Sequence, residues 1–298
     1  MRLAMRWITP LLAASAVAAG AATASDHPAN VHWEQFLPAL PSPSDIQPGA
    51  VRHCRRPSRR CIGRQLRRMR RLQQRLGCDH RAVFTTTYLE LTREYRDVLR
   101  ERPHFVRYPR YLYTEVAVFA NVYFRSVRDY ARGRPVPPAW QIAFDTARDA
   151  DVNAAQDMLL GINAHVQNDM PFVIAALGLR TKKGASRKED HDIVNDVLDR
   201  AYADVVHAVR DRFDPQVGLT NSDSTFADDV AGLEMVKEWR EVVWRNAERL
   251  ANARDDAERE QVARQIQDHA AGWARGIAAL EQPGYRTTRD AYCADKLG

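Results

Sequence analysis

The chain is 298 residues long with a formal net charge of +6 and four cysteines. Beyond its N-terminal segment it has no run of roughly 18 apolar residues, which excludes a mature bilayer-spanning helix. The charge is local: eleven arginines and no acid lie between Arg52 and Arg75, and the chain after residue 75 holds 31 basic against 35 acidic residues. Without interleaved aromatics, such an arginine run gives no strong nucleic-acid signal.

In chain order, Arg2 and Arg6, the apolar run from Trp7 to Ala19 and the small residues Ala22-Thr23-Ala24 read as a signal peptide over 1–24. An exported protein, secreted or held at the cell envelope, is therefore expected. Residues 25–51 contain Pro28, Pro38, Pro41, Pro43 and Pro48 and read as an extended leader. Within 52–77, Ile62, Leu66, Met69, Leu72 and Leu76 recur at helical spacing among arginines, giving a basic amphipathic helix that stops at Gly77. Arg64, Arg67, Arg68 and Arg71 are its candidate contacts to an anionic lipid surface or envelope polymer; the alternative is a solvated face above a docked stripe.

A central helical domain is expected over 78–214. Val83, Phe84, Tyr88, Leu91, Tyr95, Val98 and Leu99 make one core-facing stripe, and Leu112, Val116, Phe119 and Tyr123 a second, with Glu115 at its edge and expected at the surface, the alternative being a buried, functional carboxylate. Trp140 to Ala150 is a shorter helix. Ser186-Arg187-Lys188-Glu189 reads as a capping box opening one helix to Phe213, with His191 and Asn195 facing inward. Over 215–298, two long apolar-striped segments joined by a short connection predict an antiparallel hairpin. No strand pattern and no long repeat occurs, so the expected fold is an all-α multi-helix bundle. Four cysteines in an oxidising compartment predict two disulfides; of three connectivities, Cys54–Cys61 with Cys78–Cys293 is favoured.

The centre of the chain is Gly161-Ile162-Asn163-Ala164-His165-Val166-Gln167-Asn168-Asp169-Met170-Pro171. At helical spacing Met158, Gly161, Ile162, His165, Asp169 and Phe172 share a face, so an imidazole and a carboxylate stack within an apolar stripe. Pro171 lacks an N–H and predicts a kink or restart beside Asp169. A His and an Asp at i and i+4 make half of a divalent-metal site, which His191 could join from the next helix, with Asn163 and Asn195 in support. They equally make a structural pair, with Asp169 capping the segment from Met170 and Asn163 and Asn168 meeting freed backbone groups. No Gly-x-Ser-x-Gly, Walker loop or Rossmann glycine pattern is present.

This segment, with Pro138-Ala139-Trp140 before it and Asp192-Ile193-Val194-Asn195 after it, resembles a bacterial, largely actinobacterial family classed as a domain of unknown function. More remotely, His165-x-x-x-Asp169 followed by proline is similar to part of the zinc-dependent phospholipase C and single-strand nuclease pattern. That resemblance implies an all-α secreted hydrolase in which His165 and Asp169 bind zinc. His191 and Asn195 stand where that class has His-x-x-x-Glu, and residues 172–179 lack its intermediate histidine. Two functions follow as expectations: a metal-dependent hydrolase, with phosphoesters as the candidate substrate and one divalent ion such as zinc on His165, Asp169 and His191, or a non-catalytic envelope protein that binds an anionic partner through its arginines.

Overall fold

A computed structural model of the chain describes Cys54, residues 57–218 and residues 226–297, with backbone alone over 226–231. The signal-peptide and leader assignments, Arg52, Arg55, Arg56 and residues 219–225 lie outside the described residues. Apart from one isolated bridge between Arg180 and Ser186, the regular structure described is helical. The fold is all-α.

Helix α1 (Arg59–Leu76) buries Ile62, Leu66, Met69 and Leu72, as its period requires, and stops where Gly77 takes φ 58°. Its stripe packs on α2 (Arg81–Glu101) and α3 (Pro109–Tyr130). Proline opens α3 and also α4 (Pro138–Asp149), at positions where its missing N–H costs nothing. Asn153 and Gln156 then form a capping box on α5 (Ala154–Asn163), the Asn153 side chain accepting from the Gln156 N–H at 2.9 Å and the Gln156 side chain from the Asn153 N–H at 3.0 Å.

The expected capping box at Ser186 does not form. Ser186 Oγ accepts from the Lys188 N–H, and the expected single helix is divided into α7 (Lys188–Asp192) and α8 (Val194–Phe213). The short α7 is fixed by tertiary bonds instead: Asp190 accepts from the Arg107 and Tyr108 N–H groups at 2.6 and 2.7 Å, and buried Lys188 pairs with Asp192 and Glu241 at 2.8 and 2.9 Å.

Helices α9 (Phe226–Ala251) and α10 (Asp256–Ala278) follow, then α11 (Tyr285–Leu297). Rather than closing chiefly on one another as a hairpin, α9 packs mainly on α6 (Met170–Leu177), and α10 on α4 and α5. One apolar core accordingly runs from Ile62 to Ile277, across the expected boundaries at 77 and 214, with Tyr123, Trp140 and Trp244 buried in it. The disulfides are Cys54–Cys61 and Cys78–Cys293, the second tying α11 to the start of α2 with Cα atoms 5.7 Å apart. Among the described residues no helix is long and apolar enough to cross a membrane.

Candidate functional site

Between α5 and α6 the helix continues without a break. It widens into a π turn, Ala164–Asp169, in which the Met170 N–H bonds the His165 carbonyl. A wider turn re-registers the backbone bonds around Pro171, which has no N–H to give. The turn carries His165 and Asp169 into the core, where they are 2% and 3% exposed. Close packing beside it depends on Gly161: a Cβ there would lie 2.3 Å from the Phe84 ring, so only glycine lets Phe84 reach the histidine, with ring centroids 5.7 Å apart.

Asp169 is an orienting acceptor. Its Oδ2 takes bonds from Trp140 Nε1–H at 2.9 Å and His165 Nδ1 at 3.1 Å, and its Oδ1 one from Asn168 Nδ2 at 2.7 Å. A carboxylate can only accept, so the imidazole proton sits on Nδ1 and Nε2 keeps its lone pair. That Nε2 is buried without a hydrogen-bond partner. Phe119 stacks on the ring at 3.5 Å and 4°, and Tyr88 lies edge-on at 4.7 Å. Burial depresses the pKa of His165 and Asp169 opposes that, leaving a neutral base at neutral pH.

His165 lines a cavity of about 320 Å³ whose walls are mostly apolar, among them Leu91, Val116, Met158, Ile162, Val197 and Leu233. Only a few polar side chains reach it. Glu115, expected at the surface, lines the chamber instead. Its remaining exposure is consistent with a position on the cavity wall, and protein surrounds it closely enough to push its pKa up to about 7; Arg240, the strongest opposing charge, does not cancel the burial. The Tyr111 hydroxyl lies near enough to favour the charged carboxylate but outside strict hydrogen-bond geometry. Arg240, Tyr88 and Tyr95 also line the chamber, and both of these tyrosine hydroxyls are buried without partners.

The other sequence-predicted residues are used differently. His191 Nε2 lies 3.0 Å from the Arg240 carbonyl, and the Arg240 guanidinium returns bonds to the His191 carbonyl and to Asn195 Oδ1, the latter at 2.8 Å. Asn163 donates to the Ala270 carbonyl at 2.8 Å and accepts from Gln167, so it ties α10 to the π turn. Asp169 makes no side-chain cap bond to α6. Among the described residues, no three His, Cys, Asp or Glu side chains converge as a metal ion requires. His165 and Asp169 meet each other; His191 meets Arg240. On α1, Arg64, Arg67 and Arg71 are exposed, while Arg68 turns inward, bonding Gln65 and covering the Phe124 ring at 4.0 Å.

The family model with the description "Family of unknown function (DUF5995)" matches residues 62–280. The chain belongs to that family. The match takes in the cavity, the π turn and Arg240, and it names no activity. No curated protein and no solved structure matches the chain. Sequence reasoning weighed a buried Glu115 but favoured the surface, and it missed Arg240. The one available signal was Glu115 standing a helical turn beyond Tyr111 on an aromatic-rich stripe.

Proposed function

We propose that the domain is a binding chamber for a mainly apolar small molecule, in which His165 and Glu115 are set for proton transfer to and from the bound ligand. The observation that carries this reading is the concave apolar volume met by a few polar groups with displaced pKa values, the arrangement typical of a ligand site. His165 is the base, its tautomer fixed by Asp169. Glu115, near pH 7 half protonated, can give or take a proton. A hydrolytic step in this chamber would use water activated by His165, because the described residues bring no three metal-ligating side chains together. The two disulfides favour work outside the reducing cytoplasm.

The test is binding of a neutral, environment-sensitive dye to the wild type and to Val116→Trp, which fills the chamber from α3. Saturable binding that the variant loses while its melting temperature holds is the expected result. Equal binding in both proteins overturns the reading.

A second reading rests on α1. Arg59, Arg60, Arg67, Arg70, Arg71 and Arg75 are exposed, and none makes an ion pair among the described residues. Because the apolar stripe beneath them is already buried, the row can recognise a polyanionic surface by charge alone, without inserting. Sedimentation with vesicles rich in phosphatidylglycerol, lost on adding salt and in a variant with these arginines changed to glutamine, is expected. Vesicles left in the supernatant even at low salt would make the row a solvated face.

A further inference from the structure

Arg240 is 5% exposed and lines the chamber, yet no carboxylate lies within ion-pair distance of it among the described residues. Its acceptors are neutral: Asn195 Oδ1, the His191 carbonyl, and, for Nη1, only the Met170 sulfur at 3.7 Å. A thioether is a weak acceptor, so one arm of a buried cation is nearly unused. Elsewhere in this protein buried cations are paired: Lys188 with two carboxylates, Arg289 with Asp157. The walls beyond Arg240 are mainly hydrocarbon and aromatic, with Thr87, Thr92, Glu115 and His165 among them.

Resting on the proposed binding chamber, we infer that its ligand is an amphiphile with a single anionic head, a long-chain carboxylate, its head held by the Arg240 guanidinium and its tail by the apolar walls. Glu115 sets the conditions for this. From α9 it faces Arg240, from the segment before α7 and from α7 itself Arg187 and Asp190, from its own helix Tyr111, and from α2 Tyr88 and Tyr95, whose hydroxyls its charge also reaches. The His165–Asp169 pair stands on the remaining side, beyond Tyr88. While Glu115 holds its proton it can donate to the ligand carboxylate and leave Arg240 as the one counter-charge. Once Glu115 ionises, two carboxylates compete for one guanidinium, and the ligand head is repelled. A doubly charged phosphate head would leave an unmatched negative charge in the chamber, which disfavours it.

Titration calorimetry with decanoate and decanol, on wild type and Glu115→Gln, tests this. Decanoate should bind at least about tenfold more tightly than decanol. Wild-type affinity for decanoate should fall about tenfold between about pH 6 and about pH 8, a range in which the ligand's own charge is constant. In Glu115→Gln that pH dependence should vanish while tight binding remains. Equal affinity for decanol and decanoate overturns the inference and leaves the chamber reading standing, as does a wild-type pH slope retained in Glu115→Gln. Failure of the decanoate, the decanol and the neutral dye alike removes both.

Discussion

Two of the buried charge clusters in this domain are built on opposite rules. Beneath α11, Arg289 is 1% exposed and joins Asp157 at 2.8 Å, the Val152 carbonyl at 2.6 Å and, more loosely, Asp214 at 3.7 Å. Asp214 in turn accepts from the Ala154 N–H and the Tyr285 hydroxyl, and His80 bridges to Asp290 at 2.9 Å. Around the chamber, Arg240 is 5% exposed and Glu115 only partly buried, and no ion pair joins them. Removing ions from water costs several kcal/mol each, and close pairing is what offsets it. The first cluster recovers that cost in holding α11, α5 and the start of α2 together beside the Cys78–Cys293 bridge. The second leaves the cost standing at a cavity wall, where a ligand can offset it.

The contrast is broken most forcefully at Arg289. Arg289→Met leaves Asp157 and Asp214 facing each other without their cation, a loss of about 3–5 kcal/mol. At about 2–4 °C per kcal/mol for a domain of this size, calorimetry should record a melting temperature lower by roughly 10 °C. Ligand binding by the fraction still folded should be unchanged. A variant as stable as the parent would mean that the paired cluster is not what secures α11.

At Glu115 the effect is smaller and its sign depends on pH. Its folded pKa of about 7 stands above the ordinary carboxyl value of 4.5, so the folded state holds this proton more tightly than the unfolded one. Stability from this group is therefore full below about pH 4.5, declines as pH rises, and is lost above about pH 7, a swing of about 3 kcal/mol at most and less for the surface it shows to the cavity. Glu115→Gln should raise the melting temperature at alkaline pH and flatten the profile between those limits. Parallel wild-type and variant profiles would show that the carboxylate is stabilised by partners at the chamber wall after all.

The two clusters also differ in how far they could be read from sequence, for a physical reason. The His165–Asp169 contact is local, since i and i+4 on any helix place side chains together, and the stripes of α1, α2 and α3 follow from one period. The π turn is only half local: Pro171 announces a disturbance, but a wide turn rather than a break depends on Trp140 and Asn168 holding Asp169 from either side. The Asn153–Gln156 box is legible in the sequence, while the Ser186 box does not form, Asp190 and Lys188 binding the backbone just before α3 and Glu241 of α9 instead. Glu115 and Arg240 lie on helices far apart in sequence, so neither announces its burial. Arg240 sits between Trp239 and Glu241 in a helix rich in charge, and nothing in that neighbourhood of the sequence distinguishes it from exposed charged residues of the same helix such as Glu238 and Arg245.

The smallest expected change is at Asp169, and it separates an orienting carboxylate from a merely packed one. Three donors converge on it, from Trp140, His165 and Asn168, and a carboxylate accepts them all. In Asp169→Asn one oxygen becomes an NH₂ group. Trp140 and His165 both donate to Oδ2, so the oxygen stays there and the NH₂ group takes the Oδ1 position opposite Asn168, whose amide can turn its unpartnered Oδ1 to accept. The His165 proton should therefore stay on Nδ1, and Nε2 should keep its lone pair. The stability cost should be about 1–2 kcal/mol, that of rearranged rather than deleted hydrogen bonds. Losing the carboxylate also removes the one influence that raises the pKa of His165, so its pKa should fall further while histidine ¹⁵N shifts report an unchanged tautomer. Proton transfer through His165 should weaken as the ring becomes less basic, even where ligand affinity is preserved. A His165 pKa unchanged in Asp169→Asn would show that the π turn and its aromatic neighbours alone set the basicity of the ring, and Asp169 would then be a packing solution around Pro171.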